Sequence, residues 1–246
     1  MRSLLFRIIR RIGFRFGIRI QRSSEIEQLS VPVFIEDAFK DCKAVRVLQI
    51  GANDGMSEWD PIAPFYDKPG FSGILFEPQP KTYKRLKSNL DRRPQWTTKN
   101  AAVSNQTGTI DFYVVGSPMK SKHPLFCDQI SSTIRHEVVA KLVAWGHTES
   151  EAEGLTQKIR VDSFSFADLA TGEGGGFDLV AIDAEGMDFK LVRMMFEANI
   201  APKLLIFECS HLNPDERLQI PDLLFSKKYA YYPCGGDIVA KHFASE

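Results

Sequence analysis

Apolar and polar positions along the chain fall into two alternating periods. Val45, Val47, Leu48 and Ile50 form a short run that can bury on both faces of a strand, as parallel sheets require, and it stops at Gly51-Ala-Asn-Asp-Gly55. A helical or irregular segment follows through Trp59 and Tyr66, broken by Pro61 and Pro64. The pattern then predicts a strand over 73–77, a helix over 80–90 with Tyr83, Leu86 and Leu90 inward, and a third strand within 97–103. Residues 108–115 alternate as a further strand. Residues 116–132 are rich in Ser, Pro, Lys and His and read as a loop long enough to be a lid or binding segment. A helix over 134–145, a strand over 157–161, a short helix within 161–169 and a flexible connection at Gly172–Gly176 come next. Strand 177–183 leads to helix 187–198, whose Met187, Leu191, Met194 and Met195 are expected to face the sheet as core. Strand 203–209, a helix over 214–226 opened by Asn213-Pro214, and a hairpin of 229–233 with 237–242 complete the chain. Strands and helices in alternation, with short connections and no repeat or linker, predict an α/β fold.

Length and composition are those of one large α/β domain: 246 residues, 43% hydrophobic and 25% charged. The net charge of zero conceals an asymmetry. Residues 1–24 hold Arg2, Arg7, Arg10, Arg11, Arg15, Arg19 and Arg22 and no acid, so the remaining chain is mildly acidic. An acidic body gives no broad surface for nucleic acid. The division expected is a basic leader, 1–24, and a single catalytic domain, 25–246. Within the leader, Leu4, Leu5, Ile8, Ile9 and Ile12 share one helical face opposite Arg7, Arg10 and Arg11. Residues 1–22 are therefore a candidate peripheral anchor on anionic membrane. Packing on the domain or on a second subunit is an equal alternative, with a mitochondrial presequence behind both. Cys42, Cys127, Cys209 and Cys234 are widely spaced without C-x-x-C, which reads as free thiols in a reducing cytoplasm.

Ligands in open α/β sheets bind outside the carboxyl ends of the strands, and there this chain places its polar groups. Strand one ends in the Gly51–Gly55 turn, strand two at Glu77, strand three near Asn100-Ala-Ala102, and the next two at Asp183-Ala-Glu185-Gly186 and Glu208-Cys-Ser-His211. A glycine turn after strand one with an acid after strand two is a nucleoside-binding arrangement, because the acid accepts from both ribose hydroxyls. The spacing is neither G-x-G-x-x-G nor G-x-x-x-x-G-K-[ST], and the strand ends are acidic rather than basic. Those features suit S-adenosylmethionine, which has no phosphate but carries ribose hydroxyls, an ammonium and a sulfonium.

The segments Ile50-Gly-Ala-Asn-Asp-Gly55, Phe76-Glu-Pro78, Asn100-Ala-Ala-Val-Ser104, Gly108 with its following strand, Ile182-Asp-Ala-Glu-Gly186 with Asp188, and Leu205-Ile-Phe-Glu208 together resemble the FkbM-type methyltransferases over roughly residues 45–240. The resemblance implies a Rossmann-like class I methyltransferase. Its sheet would be mostly parallel and seven-stranded, with an antiparallel last strand and helices on both faces. S-adenosylmethionine would be the methyl donor, and a hydroxyl on a sugar, glycan or secondary metabolite the acceptor. Many relatives carry an acid directly before the I-G-A-N segment, where this chain has Gln49. That acid helps orient the methionine part of the donor. Gln49 can hydrogen-bond but brings no charge, leaving Asp54 and Asp183 to supply negative potential.

The expected donor contacts are Gly51, Ala52, Asn53, Asp54, Gly55, Glu77, Asn100, Ala101, Ala102 and Asp183. His211 is the candidate general base, with Asp183 and Glu185 beside the reacting groups. Capping of the following helix competes for both acids. Ser131, Ser132 and Glu208 are candidate acceptor contacts, and Trp59, His123, Phe126 and Trp145 suggest a pocket wall. Asp183, Glu185 and Glu208 could instead gather Mg²⁺, although no strict metal signature is present. Two rival classes fit the same features less well: a non-catalytic nucleoside-binding or membrane-recruitment protein, and a nucleotide-sugar enzyme on a related sheet.

Overall fold

Seven strands form the main sheet, in the order β10-β11-β9-β8-β1-β2-β3, in a computed structural model that describes residues 30–57, 60–116, 130–172 and 176–243. The expected leader, Trp59, His123, Phe126, Cys127 and the middle of the Gly172–Gly176 connection lie outside the described residues. β1 (Val45–Ile50) pairs in parallel with β2 (Phe71–Phe76) on one side and β8 (Leu179–Ile182) on the other. β3 (Trp96–Lys99) and β9 (Leu204–Glu208) extend the parallel run, and β11 (Asp237–His242) enters antiparallel between β9 and β10 (Tyr229–Cys234). This is the Rossmann-like class I methyltransferase sheet implied above, including the antiparallel last strand.

The central strands are apolar on both faces because helices cover both. Val45, Val47, Leu75, Leu179 and Ile206 pack with α1 (Val31–Phe39) and α2 (Pro80–Asn89). Leu48, Ile50, Phe76, Val180 and Phe207 pack on the other face with α5 (Phe166–Gly172), α6 (Asp188–Glu197) and α7 (Pro214–Ser226). α7 begins where Asn213-Pro214 predicts, and Asn213 and Glu216 cap each other reciprocally. Residues 31–39 carry a helix that the periodicity reading above did not assign.

The third predicted strand is two strands in two sheets. β3 stays in the main sheet, whereas β4 (Ala101–Ser104) joins β5 (Gly108–Val115), β6 (Ser131–Ser132) and β7 (Thr156–Ser165) in a second sheet ordered β4-β7-β5-β6. The switch falls at Asn100. β2 ends at Phe76, and after the bond from Glu77 N to the Lys99 carbonyl the ladder reaches Pro78, which has no N–H. Asn100 closes the gap with its side chain, donating to the carbonyls of Glu77 at 2.9 Å and Pro78 at 3.1 Å. β7 also runs to Ser165, through the short helix expected within 161–169, because β4 and β5 pair along it on both sides. The helix starts only at Phe166. α3 (Arg135–Ala144) and α4 (Glu149–Leu155) cover this sheet through Val138, Val139, Leu142 and Ala152.

No described helix is long and apolar enough to cross a membrane. Among the described residues, Cys42, Cys209 and Cys234 form no disulfide.

Two glycines make opposite predictions. Gly51 has φ +80°, and a Cβ there would lie 1.7 Å from the Asp183 carbonyl oxygen. Gly154, inside α4, has open space around that position. Chemical denaturation should show Gly51→Ala destabilised by about 3 kcal/mol or more. Gly154→Ala should be neutral or stabilised by about 0.5–1 kcal/mol.

Candidate active site

A crevice opens at the carboxyl ends of β1, β2 and β8, with the second sheet over it. Main-chain bonds set its floor. Gly51 and Ala52 N–H both donate to the Phe76 carbonyl, and Asp183 N–H donates to that of Ile50. The turn then reaches Asn53, whose φ of +49° aims its N–H at Glu77 Oε2, 3.0 Å away. The other Glu77 oxygen accepts from Gln79 N–H at 2.8 Å. Glu77 is only 5% exposed. Burial pushes its carboxyl up to about 8, against the lowering effect of those two N–H groups.

The cavity beside Glu77 has a volume of about 340 Å³, within the range of small-molecule sites. Its walls include Gly51, Asn53, Ala101, Ala102, Phe112, Ser131 and Asp183. Met187, Leu191 and Met194 also line it, so the methionine stripe read as core is partly cavity wall. Leu191 and Met195 are buried in the main core, as expected.

The next acidic turn is held by a residue outside the expected contact set. Asp188, 1% exposed, accepts from Ala184 N–H at 2.8 Å and Gly186 N–H at 2.9 Å. This clamp holds Glu185 at φ +54°, a conformation that costs a non-glycine residue about 1–2 kcal/mol. The helix has no side-chain cap at its N-cap residue, Met187, so neither Asp183 nor Glu185 caps it, and both line the cavity. Burial pushes Asp188 up to about 7. Asp183, enclosed by protein but open to the crevice, rises to about 6 for the same reason.

Lys141 of α3 also escaped the sequence reading. Its ammonium is bonded to Glu185, and its side chain is only 14% exposed. Burial lowers its pKa, while Glu208, Asp183, Asp188 and Glu137 oppose that shift. Glu208 completes the group: Oε1 lies 3.4 Å from His211 Nε2, and Oε2 is buried without a hydrogen-bond partner among the described residues. Burial and the nearby Asp183 push Glu208 up to about 8. His211 falls below its ordinary value through burial and the Lys141 charge. Glu185, Glu208 and His211 offer ligand atoms within 4.8 Å of one another, a set able to hold a divalent cation. Lys141 already supplies Glu185 with a counter-charge.

Several expected contacts face elsewhere. Asp54 turns away from the crevice: Oδ1 caps Met56 N–H and Oδ2 lies 3.8 Å from Arg85. Gly55 packs toward Leu86 and Tyr66, and the Asn100 amide is committed to the Glu77 and Pro78 carbonyls. Ser132 is buried and its hydroxyl accepts from Ile134 N–H, a local turn bond, so only Ser131 of that pair lines the cavity. Trp145 ends α3 and packs with the small core under the second sheet. Ala52 is buried and borders a second cavity, of about 270 Å³, on the other side of Gly51.

Residues 49–231 match the profile of the Methyltransferase FkbM domain.

The chain belongs to the FkbM methyltransferase family.

Membership identifies it as a methyltransferase-family protein with S-adenosylmethionine as cofactor. Among solved structures, the methyltransferase FkbM from Methylobacillus flagellatus KT is 12% identical, with a TM-score of 0.49 over 81% of this chain. The present chain spans only 44% of that protein. An O-methyltransferase from Bacillus cereus, solved with SAH, is 10% identical with a TM-score of 0.41, covering 91% of this chain and 82% of its own. A human methyltransferase 10 domain containing protein is 9% identical with a TM-score of 0.44, over 94% and 92% of the two chains. No curated protein matches the sequence.

The raised carboxyls give the FkbM protein a defined pH response. Glu77, Glu208, Asp188, Asp183 and Asp237 all titrate above their ordinary values when folded, at about 8, 8, 7, 6 and 6. The native state therefore binds more protons than the unfolded chain between these values and the ordinary ones. Stability should be highest in mild acid and fall as pH rises from about 5 to 8. Denaturant midpoints across that window check the sign. Glu208→Gln should match wild type near pH 4 and exceed it at pH 8 by roughly 1–3 kcal/mol, the cost of an unpaired buried acceptor.

Proposed function

We propose that this FkbM protein is an S-adenosylmethionine-dependent O-methyltransferase whose acceptor is a hydroxyl on a sugar, glycan or secondary metabolite. The observation that carries the donor part is the Glu77 carboxylate. Each of its oxygens holds one backbone N–H, and in the ionised form each has a second lone-pair direction left, so the pair can accept from two ribose hydroxyls at once. Gly51 lets the donor lie against the main chain. Ala101, Ala102 and Phe112 offer the adenine a flat apolar wall beside that carboxylate.

Asp183 and Glu185 would border the sulfonium methyl and the acceptor, with Ser131 and Glu208 on the acceptor side. The acceptor oxygen attacks the methyl carbon in line. The carbon–sulfur bond breaks, its electron pair stays on sulfur, and the hydroxyl proton passes to the His211 imidazole. A lowered pKa keeps that imidazole neutral and able to accept near pH 7, and Glu208 orients it. Positioning supplies much of the rate. The chain is read as a leader, 1–24, with the methyltransferase domain at 25–246 in the cytoplasm. Residues 1–22 would give it a peripheral hold on anionic membrane.

Calorimetry with S-adenosylhomocysteine tests the donor reading. Wild type should bind, and Glu77→Gln should weaken binding roughly 10- to 100-fold. No binding by wild type at millimolar ligand would reject it. Once an acceptor is found in a screen of sugars and glycans, His211→Gln should lower turnover by about 10²- to 10⁴-fold with donor affinity unchanged. Deleting residues 1–22 should lower sedimentation with anionic vesicles and leave S-adenosylhomocysteine binding intact. Equal sedimentation of the shortened chain would remove the anchor.

A further inference from the structure

We propose that Asp60 is the carboxylate that receives the ammonium group at the amino-acid end of the donor, with Gln49 and Tyr66 as its supports. The assignment rests on the donor reading above. The two cavities meet across Gly51, Asn53, Asp183 and Glu185, and Glu77 belongs to the first alone. A donor whose ribose sits on Glu77 is longer than its adenosyl part, and the remainder must continue past Gly51. There the wall is acidic: Asp60, Asp183, Glu208 and Asp237 line the second cavity, and among the described residues no lysine, arginine or histidine does. That lining selects a cation.

Asp60 differs from the other carboxylates in its partners. Glu185 is paired with Lys141, Asp183 feels the same ammonium, and Glu208 is beside His211. Among the described residues Asp60 is bonded only to neutral groups. Oδ1 accepts from Gln49 Nε2 at 2.8 Å and from Ile62 N–H at 2.8 Å, and the Ala63 N–H also contributes. Tyr66 Oη lies 3.0 Å from Asp60 Oδ2 and 3.0 Å from Gln49 Oε1. A phenol has one proton, so with Asp60 ionised Tyr66 can serve only one of these acceptors. The other is then open to a further donor, and an ammonium brings three. Burial also drives Asp60 above the ordinary carboxylate range, so an arriving cation is what would hold it ionised.

Gln49 thus carries the missing charge at one remove. Its amide is 4% exposed and presents a carboxylate borne by the next loop. The negative group expected of Asp54 is supplied by a residue six positions later.

Calorimetry with two ligands isolates this end of the donor. S-adenosylhomocysteine carries the amino-acid group, and methylthioadenosine is the same nucleoside without it. Asp60→Asn should weaken S-adenosylhomocysteine roughly 10- to 100-fold and change methylthioadenosine less than about twofold. The Gln49→Glu/Asp60→Asn double variant restores a carboxylate within the same network and should recover most of the lost affinity. Equal losses for both ligands, unchanged S-adenosylhomocysteine binding in Asp60→Asn, or no recovery in the double variant would overturn the assignment and leave the Glu77 reading standing. A wild-type protein that bound neither compound would overturn both.

Discussion

The bond from Asn53 N–H to the Glu77 carboxylate joins the turn after the first strand to the end of the second. Everything at the crevice depends on that link. It forms only because Gly51 passes under the Asp183 carbonyl with no side chain and Asn53 adopts a left-handed conformation. Once made, it fixes an acid with two free acceptor directions beside an apolar wall brought over by the second sheet. A nucleoside is the ligand such a pairing fits, and the family to which the chain belongs uses one.

Electrostatically the crevice is unbalanced. Five carboxyls, of Asp60, Asp183, Glu185, Glu208 and Asp237, line the second cavity, and the half-buried Lys141 pairs with one of them, Glu185. Glu185 is paired with Lys141, but burial raises the pKa of Glu77, Asp183, Asp188, Glu208 and Asp237, so folding loses stability as pH rises. On the proposed reading, a cationic sulfonium with an ammonium at its far end would relieve that imbalance. Strain at Glu185, clamped by Asp188, belongs to this pattern: the protein tolerates local cost where a ligand is to be received.

Much of this was legible in the chain. β1 and its turn could be read because burial on both faces gives an unbroken apolar run and glycines end it. Glu77 could be read because an acid follows a strand at the expected interval. The family resemblance supplied the seven-stranded, mostly parallel sheet and its antiparallel last strand. Local pattern could not reveal the switch at Asn100, since it depends on where β2 runs out of N–H donors. Nor could it tell Asp54 from Asp60: which acid faces the ligand is set by backbone angles in an irregular segment without periodicity. Lys141 looks like an ordinary helical lysine until the second sheet folds it against Glu185, 44 positions away. The methionines of α6 read as core because a wall and a core present the same apolar stripe.

The most direct test is a crystal structure of the protein with S-adenosylhomocysteine. The account predicts both ribose hydroxyls within hydrogen-bond distance of the Glu77 carboxylate, and the homocysteine end beyond Gly51. An adenosyl group bound elsewhere, or a crevice closed by its own side chains at saturating ligand, would contradict it.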